Sequence, residues 1–216
     1  MGTKDEFFYP TIINTIPPVN EDLAAILNEF EAVLKEKNKT VYDTLNPGLT
    51  AEEIRKLEEE YQVKLPEEIA ALYMWHNGCS DFEHGLMNGE IIPGHWFVPL
   101  KYALDQNKSL SQGGDTFVQK VFFELFAGHK KTWIILLDDG CSDGYFYDPT
   151  QKTGSGYIFY NCAEMSHYVF FSSLKNQLKA FIECYQKDIY RMDNTMEIKD
   201  YEAAEKVMSK YGVSVN

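Results

Sequence analysis

The stretch WIILLDDGCSDGYFYDP, residues 133–149, concentrates acidic groups: Asp138, Asp139 and Asp143 lie within six positions, and Asp148 follows. Carboxylates grouped this way can ligate a hard cation, serve as an acid–base pair, or simply turn a chain between two strands. A calcium loop counted from Asp139 places Asp143 and Gly144 at positions five and six, as an EF-hand requires. The same count puts Cys141, a poor ligand for calcium, at position three and Thr150 where a bidentate Glu belongs. An acid–base pair needs burial to drive two pKa values apart. Residues 138–144 instead read as an exposed turn, in which neither carboxylate is desolvated. The turn between two strands accounts for these letters best.

Other groups capable of chemistry are scattered. Cys79, Asp81, Glu83 and His84 form the best local metal candidate, yet they reproduce neither His-Glu-x-x-His nor Cys-x-x-Cys spacing. His76 falls on the apolar face of the helix pattern around YMWHNG, where a hydrogen-bonded structural histidine is expected. His95, His129 and His167 are isolated. TGSGY is one residue short of the Gly-x-Ser-x-Gly nucleophile turn, and its glycines fit a plain turn. No P-loop and no Gly-x-Gly-x-x-Gly is present, so no cofactor is implied.

The elements that must position these residues read as follows. Residues 1–19 form a Pro-containing arm. Asn20 can cap a helix whose stripe is Leu23, Ile26, Leu27, Phe30, Val33 and Leu34, ending in EKNKT. Thr50 and Glu53 have capping-box spacing, with Leu49 and Ile54 placed as a hydrophobic staple. Pro66 suits the first position of a third helix, in which Ile69, Leu72, Tyr73 and His76 share a face and Asn77-Gly78 makes the stop. GEIIPGHWFVPL then predicts strands broken by bulges. Residues 115–127 fit either a helix or a strand. TWIILL, GYFYD and GYIFY predict an antiparallel meander, and YVFF a further short strand. Ser172 or Ser173 caps a helix carrying Leu174, Leu178, Phe181, Ile182 and Tyr185. A last helix near 200–211 puts Tyr201, Ala204, Met208 and Tyr211 on one side. Helices, then strands, then helices predict a single α+β domain with a mainly antiparallel sheet flanked by N-terminal and C-terminal helices.

Composition narrows the function classes. The 216 residues are 44% hydrophobic and 14% aromatic, enough to bury a core. No apolar run spans a bilayer and the N-terminus lacks signal-peptide character, so a cytoplasmic protein is expected, with its four distant cysteines reduced. Lys plus Arg number 20 against 33 Asp plus Glu, a net charge of -13. That balance opposes nucleic-acid binding and suits a basic protein partner.

The run LNPGLTAEEIRKLEEEYQVKLPEEIAALYMWHNG resembles the SUKH superfamily, which includes fungal cell-wall (glucan) synthesis regulators and bacterial immunity proteins that neutralise toxins. The matching positions are Glu58 or Glu59, Leu65-Pro66, Tyr73 and Asn77-Gly78. A second block matches Trp133, Asp139-Gly140, Asp148-Pro149 and Gly156. A third matches Ser172, Leu174, Phe181 and Ile182. The resemblance covers roughly residues 22–187. Beside the arm it leaves 104–130 as an insertion and the helix after 195 as an addition, so the chain divides into an arm (1–19), a SUKH-like domain (20–190) and a C-terminal helical extension (191–216). The resemblance implies a binding role without catalysis, either immunity or regulation of wall synthesis. Against a basic toxin, Asp138, Asp139 and Asp143, with Asp81 and Glu83, would be the partner-binding residues. The competing expectation is a hydrolase whose site is assembled from dispersed residues, His84 and His95 among them.

Overall fold

A computed structural model of the chain describes residues 23–80, 89–112, 133–141, 143–149, 156–161, 168–192 and 196–213. The arm, Asp81, Glu83, His84, His129, His167 and the ambiguous segment 115–127 lie outside these residues. The first helix, α1 (Leu23–Lys37), buries Ile26, Leu27, Phe30, Val33 and Leu34, the stripe its spacing predicts. EKNKT does more than end it. Asn38 is buried, and its side chain accepts from Val41 N (3.2 Å) to cap a second helix, α2 (Lys39–Thr44). The capping box of α3 (Ala51–Tyr61) forms: Thr50 Oγ1 accepts from Glu53 N, and the Glu53 carboxylate accepts from Thr50 N (2.8 Å).

Two expectations about the next helix, α4 (Glu67–Trp75), are corrected. Pro66 stands one position earlier than expected, as the N-cap with ψ 145, because its fixed φ serves an extended entry as well as a first turn. His76 is not on the helix face. It is extended and opens the strand β2 (His76–Cys79), which pairs antiparallel with β1 (Leu45–Pro47). Its Nδ1–H donates to Asn46 O (2.8 Å), so β1, rather than α4, sets its position.

The six-stranded sheet is antiparallel throughout and its strands neighbour one another in chain order: β3 (Glu90–Ile92), β4 (His95–Phe97), β5 (Ile134–Asp138), β6 (Gly144–Asp148), β7 (Tyr157–Asn161) and β8 (Tyr168–Phe171). The predicted meander forms, and the expected irregularity appears as a register shift between Glu90 and Ile92. All five residues of β5 are buried, so both faces of the sheet are covered. Against one face lies α5 (Leu100–Gln112), which starts ahead of the segment read as an insertion, runs into it from Leu104 and packs on β5. On the other lies α6 (Leu174–Gln186), capped by Ser173, whose hydroxyl accepts from Asn176 N. The Phe181 ring of α6 meets Tyr145 and Phe171, and α1 packs on α6.

Beyond α6 a hairpin of β9 (Tyr190–Met192) and β10 (Met196–Ile198) precedes α7 (Tyr201–Tyr211). The face expected for α7 is partly wrong. Ala204 and Val207 are buried, but Tyr201 is 74% exposed. The helix starts at Tyr201, with Asp200 as its cap, so its first residue stands clear of α6. Tyr190, Met196, Ala204 and Val207 join the same hydrophobic core as α1 and the sheet. No described helix is long and apolar enough to cross a membrane.

Candidate functional site: the acidic end of the sheet

Antiparallel register builds this end of the molecule. Trp96 pairs with Asp138, and Asp138 with Gly144, so these residues share one face. Asp138 is buried at 7% exposure, which corrects the expectation of an exposed turn carboxylate. Its Oδ2 accepts from the Tyr102 hydroxyl of α5 (2.9 Å) and its Oδ1 from Gly140 N (2.7 Å). Burial raises its pKa, against the lowering effect of those two donors, while Asp139 adds to the rise. No local pattern announced Tyr102. It reaches Asp138 from 36 residues away because α5 lies across β5.

Asp139 and Asp143 are half-buried and belong to the turn itself. Asp139 Oδ1 accepts from Cys141 N (2.7 Å) and Asp143 N (2.9 Å), and Asp139 N donates to Asp143 O (3.0 Å). This is an Asx-type turn, in which the side chain replaces a backbone acceptor. Gly140 has a φ of 74, a left-handed conformation that glycine adopts without strain, and the turn carries it and Cys141 outward, both exposed. Asp143 is also an acceptor for the Tyr160 hydroxyl, at 3.4 Å. The structure therefore brings Asp138, Asp139 and Asp143 to one sheet end but divides them into one buried carboxylate and two at the surface.

His95 precedes Trp96 on β4 and so points to the opposite face from Asp138. Its Nδ1–H donates to Pro93 O (3.1 Å), leaving Nε2 as a buried lone pair with no hydrogen-bond donor against it among the described residues. The rings of Tyr145 and Tyr160 flank it at 5.2 and 5.8 Å. Burial lowers its pKa, partly offset by the Pro93 carbonyl and by Asp139, Asp138 and Asp143. A neutral imidazole among tyrosines, on the far face from the buried acid, is a packing arrangement rather than an acid–base dyad. Among the described residues no group of three or more His, Cys, Asp or Glu side chains could hold a metal ion.

The model of the SMI1/KNR4 family (SUKH-1) matches residues 48–183, more than half of the chain. The chain belongs to this family. No curated protein matches it.

Within the SMI1/KNR4 frame, the residues that carried the resemblance have structural work. Asn77 Oδ1 accepts from Leu100 N at the start of α5 (2.9 Å). Gly78, φ 70, lies so close to the same junction that a Cβ would sit 2.4 Å from Pro99 N. The Asn-Gly pair is thus not a helix stop but a clasp between β2 and the β4–α5 connection. Glu68, two residues after Pro66, accepts from the Tyr147 hydroxyl of β6 and from Gly156 N (3.0 Å), which fastens α4 to the sheet. A Cβ on Gly156 would meet Tyr147 Cζ at 2.3 Å. The SMI1/KNR4 blocks, distant in sequence, are fastened to one another.

Proposed function

We propose that the chain is a protein-binding domain that acts without catalysis, either as an immunity protein neutralising a toxin or as a regulator of cell-wall (glucan) synthesis. Its partner presents a basic surface to the β5–β6 turn. The observation that carries this reading is a pair of half-buried carboxylates in one turn beside exposed Gly140 and Cys141: Asp139, held by the N–H groups of Cys141 and Asp143, and Asp143, which accepts from the Tyr160 hydroxyl. A charge already held by backbone N–H groups loses little entropy when a partner docks, and a net charge of -13 steers a basic partner toward it. Asp138, being buried, supports the turn rather than the contact. Asp81 and Glu83 remain the further candidates for the same surface.

The test is a capture from native lysate, washed at low and then high salt, followed by association kinetics with the partner obtained. Asp139→Asn with Asp143→Asn keeps the turn acceptors and removes two charges. The association rate should fall by about 3- to 10-fold at low salt, with a shallower salt dependence and unchanged thermal stability. A partner that binds at the parent rate would sink the placement at this turn.

A further inference from the structure

Four elements meet around one carboxylate on the flank of α1. Glu31 Oε2 accepts from the indole Nε1–H of Trp75, the last residue of α4 (3.1 Å), and Oε1 accepts from the Tyr42 hydroxyl of α2 (3.4 Å). His76, which opens β2, closes the circle: its ring meets Trp75 edge-on at 4.5 Å and Tyr42 at 6.2 Å. The buried Phe30 stacks on the Trp75 ring at 5.9 Å. Glu31, Tyr42, Trp75 and His76 are all half-buried. The chain's own Lys35 occupies the seat they form. Its ammonium donates to Glu31 Oε1 (2.5 Å) and stands 4.8 Å from the centre of the Tyr42 ring. We infer that this is a seat for an alkylammonium group, and that a lysine side chain of a protein partner takes it over from Lys35.

The walls and the occupant differ in how firmly they are held. Donors from two other elements fix the carboxylate, and ring packing fixes the indole. A carboxylate beside aromatic faces attracts a cation through its charge and through the ring quadrupoles together. Lys35, by contrast, is one helical turn from Glu31 with its side chain 49% accessible. An exposed pair at this spacing contributes little, because it orders a long side chain in water. A guest ammonium therefore displaces a weakly held occupant and finds the site already built. The hydrogen bond from Lys35 lowers the Glu31 pKa from its ordinary 4.5; burial opposes this and the Trp75 bond adds to it, so the carboxylate is charged at neutral pH. Only the source of the guest rests on the proposed function, in which a basic partner meets a chain of net charge -13. The seat shares no residue with the β5–β6 turn.

The probe is n-butylammonium chloride, titrated into the full chain at constant ionic strength, with n-butanol as the uncharged control. The readout is the indole N–H resonance of Trp75, assigned through Trp75→Phe. Lys35→Ala vacates the seat at an exposed helical position and leaves its walls intact. The Trp75 resonance should then shift saturably, with a dissociation constant at least about fourfold lower than in the parent. Glu31→Gln in the same background should undo that gain. The partner obtained by capture should in turn leave Lys35→Ala at least about twofold more slowly than it leaves the parent. A Trp75 response equal in parent and Lys35→Ala, or equal for butylammonium and butanol, overturns the seat. Butylammonium binding with an unchanged partner dissociation rate overturns the assignment to a partner's lysine. Failure of the turn reading is seen separately, in the association rate of the Asp139→Asn, Asp143→Asn chain.

Discussion

Asp138 is a carboxylate buried between a strand end and a helix, and its proton affinity gives a direct test of that placement. Burial raises its folded pKa above the ordinary value of 3.8. The folded protein then binds this proton more tightly than the unfolded chain does. The resulting stabilisation is complete below the ordinary value and is lost as pH rises through the folded value. Asp138→Asn retains an oxygen for Gly140 N but carries no charge, so its stability relative to the parent should improve as pH rises from about 3 to about 7. Denaturant midpoints of both proteins at the two pH values provide the check. A parallel pH response would mean that the carboxylate is solvated, as the letters DDGCSDG alone imply. That reading of the turn was right in type, since Asp and Gly preferences are local. It misjudged Asp138 because burial is decided by Tyr102 and α5, which no nearby residue reveals.

The same division between local and distant causes runs through the elements. The capping box of α3, the stripe of α1 and the meander β5–β7 were all legible because neighbours within a few residues determine them. Strand β2 was not, since His76–Cys79 is extended only by pairing with β1, some thirty residues earlier. The β9–β10 hairpin and the exposed start of α7 were also unforeseen. How α7 is held to α6 yields a prediction at this scale. Glu183 of α6 accepts from Lys187 (2.5 Å) on its own helix, and from Lys210 (2.6 Å) and Tyr211 (2.8 Å) of α7. The hydrogen bonds from Lys187 and then Lys210 lower its pKa to about 2, against a smaller opposing effect of burial. A depressed folded pKa stabilises above the ordinary value of 4.5, and that stabilisation disappears as pH falls toward 2. Glu183→Gln should therefore be weaker than the parent at neutral pH, by up to about 1 kcal/mol, the scale of a solvent-screened pair. Urea midpoints should converge as the solution is acidified to about pH 2. A deficit that stayed constant across that range would assign the loss to packing of the side chain instead.

At the scale of the whole molecule, the family match and the physical unit do not end at the same residue. The match stops at residue 183, within α6, yet the core continues. Tyr190 places its ring 5.6 Å from that of Tyr185 and 6.5 Å from that of Phe181, the α6 residue that meets the sheet. Met196 Sδ lies 3.7 Å from Asn38 Nδ2, so the β9–β10 hairpin also reaches the junction of α1 and α2. Ala204 and Val207 cover α6 from outside. Removing everything after Ile189 would take away these four buried side chains together and expose the outer surface of α6, next to residues that touch both α1 and the sheet. Each large buried side chain lost costs about 2–5 kcal/mol, and a domain of ordinary stability has about 5–15 kcal/mol in all. A chain ending at Ile189 should therefore lose its sharp thermal transition and bind a hydrophobic dye, while the full chain unfolds in one step with tryptophan fluorescence and far-ultraviolet dichroism coincident. If the shortened chain kept a cooperative transition within a few degrees of the parent, residues 190–213 would be an appendage resting on an already complete domain. The packing of Tyr190 and Met196 argues for the first outcome, because both side chains contact residues that belong to the N-terminal helices or to the helix that covers the sheet.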